Sequence, residues 1–145
     1  MNYRLKTSKN AQLIMQEIKD RTGITPNILS RYAISLAAIS DEPIDKDYTD
    51  QLGQEFNRNI LLGDFDKVCK LIIETKENKH LEDEEYFPEY VKAYIEEGVK
   101  IMYGNFILTK NKDNFIRSLA GINFGGDMQW ITLIMLLLPL LMSEY

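Results

Sequence analysis

The spacing of apolar and polar residues changes along this chain, and the changes mark out its elements. Residues 3 to 7, Tyr-Arg-Leu-Lys-Thr, alternate as a half-buried strand does, with Tyr3, Leu5 and Thr7 on one face and Arg4 and Lys6 on the other. So short a strand needs a partner. The same strand from a second copy would supply one, giving a two-stranded ribbon around a two-fold axis. After Ser8, a residue type suited to the N-cap, the period becomes helical. Ala11, Ile14, Met15 and Ile18 predict an amphipathic helix over about 9–22, with Lys9, Gln12, Gln16 and Lys19 on its polar side. Gly23 is the residue type that ends a helix in the left-handed conformation, and Thr25-Pro26 is a start signal. The threonine hydroxyl can cap the first turn, and proline at the first position forfeits no hydrogen bond. A second helix then runs to about Ile39, its buried stripe marked by Leu29, Tyr32, Ala33, Leu36 and Ile39, with Arg31 off that stripe.

Strand, helix, tight turn and helix is the order of a ribbon-helix-helix unit. Asp41-Glu-Pro43 closes it, and an acidic linker leads through Asp50 to Gln54–Gly63. Asp64 can cap a helix over about 65–77 with Phe65, Val68, Cys69 and Ile72 inward. The charge-dense stretch Glu74 to Glu89 reads as a solvated loop. Pro88 opens a helix with Val91, Tyr94, Ile95, Gly98 and Met102 on one face, and Gly104 ends it. An extended piece from Asn105 to Thr109 and a short helix from Asp113 through Ala120 follow. Gly125-Gly126-Asp127 then introduces an apolar C-terminal helix. The fold class is mainly α, a ribbon-helix-helix-like N-terminal unit with additional packed helices. With 145 residues and 45% apolar content the expectation is one domain, 1–145, made of the unit at 1–40, further helices at 41–126 and the apolar helix at 127–145.

The run Trp130 to Met142 carries no charge and raises the question of a membrane. As a helix it would span only ~20 Å against a hydrocarbon core of ~30 Å, and Pro139 interrupts it, so burial against protein is the expectation and no membrane partner is inferred. Cys69 is the only cysteine, which excludes an intramolecular disulfide and fits a reducing cytoplasm. It lies in an apolar helical pattern, as a buried inert thiol would. His80 stands alone in a charged stretch. No phosphate loop, metal-ligand spacing, nucleophile with a base or dinucleotide fingerprint is present, so neither a cofactor nor enzymatic activity is expected. Glu84-Glu85 and Glu96-Glu97 are adjacent pairs, and neighbours on a helix point about 100° apart, which does not present two carboxylates to one substrate.

Charge gives the first functional lead. The formal net charge is −5, yet residues 1–31 hold Arg4, Lys6, Lys9, Lys19, Arg21 and Arg31 against Glu17 and Asp20, a local +4 that leaves −9 for the rest. A basic head on an acidic body suggests an anionic partner for the head. Lys19 and Arg21 precede the turn, and the amino end of the second helix, at Thr25 to Ile28, offers unpaired N–H groups to a phosphate. Arg4 and Lys6 could enter a major groove if the ribbon forms. Base contacts there would make a sequence-specific repressor; neutralisation of phosphates by these residues and Lys9 would make a sequence-tolerant, salt-sensitive binder. With so few polar side chains on the outward strand face, the pattern leans to the second. A scaffold that recruits partners through its acidic body and apolar end is a third reading.

The runs Arg4-Leu-Lys-Thr-Ser-Lys9, Arg21-Thr-Gly-Ile-Thr-Pro-Asn-Ile-Leu-Ser-Arg31 and Gly53-Gln-Glu-Phe-Asn-Arg58, with Leu61-Leu-Gly63 following, resemble the DNA sulfur-modification protein DndE family in order and spacing. Tyr94-Ile-Glu-Glu-Gly98 is similar to that family's His-Ile-x-x-Gly segment, with tyrosine in the histidine's place. The resemblance covers about residues 3–103. It implies a small helical homo-oligomer, a tetramer, that acts with the other DNA sulfur-modification proteins in DNA phosphorothioation, a restriction-modification setting. The member of this type is not the sulfur-transferring enzyme but a component that binds nicked duplex DNA. Arg4, Lys6, Lys9, Lys19, Arg21 and Arg31 fall in the matching motifs and are the candidate DNA-binding residues. Arg58 matches as well, as a phosphate clamp or as a structural pairing between subunits.

Overall fold

The computed structural model describes residues 3–119. Strand β1 (Arg4–Lys6) is followed by helices α1 (Lys9–Thr22) and α2 (Pro26–Ile39). Then come β2 (Glu55–Asn57), the short α3 (Arg58–Leu61), α4 (Asp66–Glu77), α5 (Val91–Leu108) and α6 (Lys112–Leu119). The apolar C-terminal run and its expected helix at 127–145 lie outside the described residues. No helix among the described residues is long and apolar enough to cross a membrane.

The N-terminal pattern predicts the first two helices to the residue. Ser8 caps α1 by accepting from the Ala11 N–H, and Gly23 ends it at φ 77° while its N–H bonds the Lys19 carbonyl. Thr25 is the N-cap of α2, although its hydroxyl makes no capping bond, so Pro26 and the backbone carry the start. The strand's partner differs from expectation. β1 pairs antiparallel with β2 of the same chain, Arg4 opposite Asn57, Leu5 opposite Phe56 and Lys6 opposite Glu55. The pairing continues through Thr7, whose N–H bonds the Gln54 carbonyl and whose own carbonyl takes the Gly53 N–H. A local partner one linker away costs less chain entropy than recruiting a second molecule. Leu5 and Thr7 point inward as the alternation requires, but Tyr3 is exposed.

Helix α2 is buried nearly all round, from Ile28 to Ala38. Its closest neighbour is α5. A methyl group added at Gly98 would lie 1.8 Å from the Ala33 carbonyl oxygen and 2.5 Å from the Ala33 Cα, so the two backbones touch where both side chains are small. Around this crossing Leu29, Tyr32, Tyr94, Ile95 and Met102 complete a core that α1 and α4 cover. α5 departs from its expected bounds at both ends. Phe87 is extended, as a residue before proline prefers, so Pro88 sits in a wide turn from Glu85 to Tyr90 and the regular helix begins at Val91. Gly104 does not end it; the helix runs through to Leu108 because buried Met102 and Phe106 on either side outweigh the ~1 kcal/mol cost of a helical glycine. The expected strand at Asn105–Thr109 is therefore mostly helix. The acidic stretch is less solvated than predicted, since Leu81, Tyr86 and Phe87 are buried within it.

Gly98→Ala should cost about 3 kcal/mol or more, because neither helix backbone can yield without moving the core; a lowered urea midpoint measures it. Alkaline stability offers a second check. Burial pushes the Cys69 thiol up from 9.0 to about 12 and the Tyr32 phenol up from 10.0 to about 12. Native protein thus holds these protons where unfolded chain has lost them, so stability falls as pH rises from 9 towards 12, with the buried Lys92, shifted down, opposing in part. The decline should be shallower in Cys69→Ala when denaturation is followed over that range.

Candidate nucleic-acid interface

The basic residues of the head divide between two places and one interior. Arg4 and Lys6 lie on the outward face of the β1–β2 ribbon together with Glu55 and Asn57. Arg4 bonds the Glu55 carboxylate at 2.8 Å, and both side chains are substantially exposed, an ion pair of the kind worth ~1 kcal/mol or less. Arg4, Lys6 and Glu55 line a shallow cavity of about 240 Å³ beside Pro88 and Lys92. Lys92 is committed elsewhere, donating to the Asp50 carbonyl at 2.6 Å.

Next along the chain, the amino end of α1 is already occupied by the protein's own acids. The buried Glu96 carboxylate accepts from the Ser8 N–H at 2.6 Å and the Ser8 hydroxyl at 2.8 Å, and Asp50 accepts from the Lys9 N–H at 3.2 Å. These carboxylates take the place an external anion would have at the positive end of the helix dipole. The Lys9 side chain is exposed and donates to Gln12 at 3.2 Å.

Lys19 and Arg21 sit at the other end of α1, roughly 20 Å away along an axis rising ~1.5 Å per residue. Both are exposed. Arg21 makes a loose 3.9 Å pair with Glu17, and its guanidinium carbon lies 5.5 Å from the centre of the Phe106 ring. It therefore faces α5. Between α1 and the α5–α6 turn is a second cavity of about 250 Å³, lined by Arg21, Phe106, Thr109, Lys110, Asn111 and Lys112 among others. Lys110 and Lys112 are functional candidates that the sequence reading missed; the only signal was a pair of lysines around Asn111 in what read as an ordinary connection. Thr25, Pro26 and Asn27, at the amino end of α2, are half-buried and do not line this cavity.

Arg31 is in the interior. It is 0% exposed, donates from Nε to the Leu61 carbonyl at 2.6 Å and from an amino group to the Ile60 carbonyl at 3.1 Å, and lies 4.9 Å from the Phe65 ring centre. The expectation that it stands off the buried stripe and meets DNA is corrected: the guanidinium serves the carboxyl ends of α3's carbonyls. Arg58 is likewise structural, within one chain. It forms a bidentate pair with Asp83 at 2.8 and 3.0 Å and a third bond to Asp66 at 2.8 Å, flanked by Tyr86 and Phe87. These bonds raise the pKa of the guanidinium and lower that of the Asp83 carboxyl. Tyr94, in the histidine's place, is buried and donates to Glu77 at 2.8 Å.

The family model for the DNA sulphur modification protein DndE matches residues 4–110. The chain belongs to the DndE family. Among solved structures it is similar to DndE from Escherichia coli B7A, described as involved in DNA phosphorothioation modification, with 22% identity, a TM-score of 0.58, and coverage of 70% of this chain and 97% of that one. No curated protein sequence matches the chain. At that identity the structural likeness speaks for the DndE fold alone. Lys112 and the rest of α6 lie beyond the family match.

Because Arg31 serves buried carbonyls, Arg31→Met should lower unfolding free energy by about 3 kcal/mol, whereas Lys19→Ala should stay within about 0.5 kcal/mol of the parent. Urea denaturation of both variants provides the comparison.

Proposed function

We propose that this DndE-family chain binds the phosphate backbone of DNA as a non-enzymatic component of a DNA phosphorothioation system, with preference for nicked duplex. The observation that carries the reading is the pair of exposed cationic places at the two ends of α1, Arg4, Lys6 and Lys9 at one and Lys19 and Arg21 at the other, on a chain that is otherwise acidic. A separation of roughly 20 Å corresponds to about six base pairs at ~3.4 Å per step, so one bound chain can address phosphates on either side of a groove. Contacts of this kind position a duplex without reading its sequence. A nick adds a flexible point at which the duplex can bend to meet both places.

Sulfur chemistry needs a thiolate, and the chain's single thiol is buried with its pKa pushed up to about 12. That supports a binding role beside other DNA sulfur-modification proteins that carry out the chemistry. The intrachain β1–β2 pairing weighs against a two-copy ribbon in the major groove, and hence against a sequence-specific repressor. Assembly as a homotetramer in the cytoplasm, where the modification enzymes would act, completes the proposal. Each added subunit would multiply the phosphate contacts on one DNA.

With four or five side chains of a bound unit on phosphate, log affinity should fall against log salt with a slope of roughly −4, equally for unrelated sequences. Replacing Lys19 and Arg21 together by glutamate should weaken binding to nicked duplex while leaving the oligomer intact by sedimentation. A flat salt response in the parent would overturn the reading.

A further inference from the structure

We propose that the cleft between the end of α1 and the α5–α6 turn is a built phosphate seat, taking one phosphodiester of a DNA strand between Arg21, Lys110 and Lys112. This rests on the backbone-binding reading and joins to Arg21 of the head two lysines that its motifs do not contain, one of them, Lys112, beyond the family match. The two walls come from segments nearly ninety residues apart, and folding sets three cationic side chains around one concavity of about 250 Å³. Concavity matters because low-dielectric walls strengthen a field that exposed charges on a convex surface lose to solvent and salt.

Arg21 is prepared for the task by what lies beneath it. Phe106 is 8% exposed, set edge-on against Phe115 at 5.4 Å and stacked with Tyr103 at 6.4 Å, so its ring is a fixed platform. A guanidinium resting on that ring keeps its fork of donors for a phosphate and loses less freedom on binding one than an unsupported side chain would. Its acidic neighbour Glu17 is 3.9 Å away, a long pair between exposed groups that leaves Arg21 loosely held and exchangeable. On the opposite wall, Lys110 and Lys112 are exposed, and Asn111 spends its carbonyl oxygen on the Asn114 N–H at 2.9 Å, keeping its amide N–H donors for a ligand. Thr109 is already engaged, donating to the Phe106 carbonyl at 3.1 Å. Asp113, in the first turn of α6, is the nearest acid along that wall's sequence.

Since Lys112 falls outside residues 4–110, the cleft is completed by a part of this chain that the family pattern does not cover. The test uses the full-length protein and one nicked duplex, with affinity measured from about 50 to 200 mM salt for the parent, Lys110→Ala/Lys112→Ala and Lys6→Ala/Lys9→Ala. The cleft variant should bind about tenfold more weakly at low salt, with a slope shallower by roughly 1 to 2, while its thermal midpoint is unchanged. Parent-like affinity and slope in the cleft variant, with loss in the Lys6/Lys9 variant, would overturn the cleft and leave the backbone reading standing. No salt-dependent binding by the parent would overturn the backbone reading and the cleft with it.

Discussion

The contact of α2 with α5 at Ala33 and Gly98 is the constraint on which the other positions depend. Backbones that touch leave no room for a side chain between them, so the crossing is fixed in both translation and angle. Everything on α5 is then placed relative to α2. Tyr94 reaches Glu77 at the end of α4, Glu96 reaches Ser8 at the start of α1, and Phe106 reaches the last turn of α1 beneath Arg21. A second close approach repeats the device at the ribbon. Gly53 packs so tightly on Thr7 and Ser8 that a methyl group there would lie 2.1 Å from the Ser8 carbonyl oxygen. Gly53 and Gly98 lie in the family motifs Gly53-Gln-Glu-Phe-Asn-Arg58 and Tyr94-Ile-Glu-Glu-Gly98, and both hold backbones in contact.

Buried charge follows the same logic. Arg31 donates to carbonyls of α3, Arg58 to Asp66 and Asp83 and Lys92 to the Asp50 carbonyl, while Glu96 accepts from Ser8. A charge removed from water must be hydrogen-bonded or it destabilises the fold by several kcal/mol, so each of these side chains has partners that hold it in place. They join segments far apart in sequence, and Arg58 alone ties α3 to α4 and to the turn before α5. The exposed cations at the two ends of α1 and on the α5–α6 turn have no such interior duty. The separation of structural from surface cations narrows the candidate DNA contacts from six to five and adds Lys110 and Lys112.

Local signals were enough for much of the fold. Ser8, Gly23 and Pro26 bounded α1 and α2 because capping is decided within one turn of chain, and the spacing of Ala11, Ile14, Met15 and Ile18 gave the buried face because a helix has one period. Signals that tertiary packing can override were less reliable. Gly104 reads as a stop yet sits in mid-helix, and Thr25 reads as a side-chain cap yet makes no capping bond. Glu74–Glu89 reads as solvated because its charges dominate the count, while Leu81, Tyr86 and Phe87 anchor it inside.

By itself the sequence determined a mainly helical chain, a basic head on an acidic body, a single thiol held in an apolar face and the motifs of the DndE family, all properties that add up residue by residue or repeat at short range. Only the tertiary structure decided that β1 finds its partner in β2 of the same chain, that Arg31 is interior, and that Arg21 faces Lys110 and Lys112 across one cleft. The reason is the same in each case. Such pairings join segments separated by tens of residues, and which segments meet is set by the close packing of α2 on α5, a single geometric fact with no local signature beyond one glycine and one alanine.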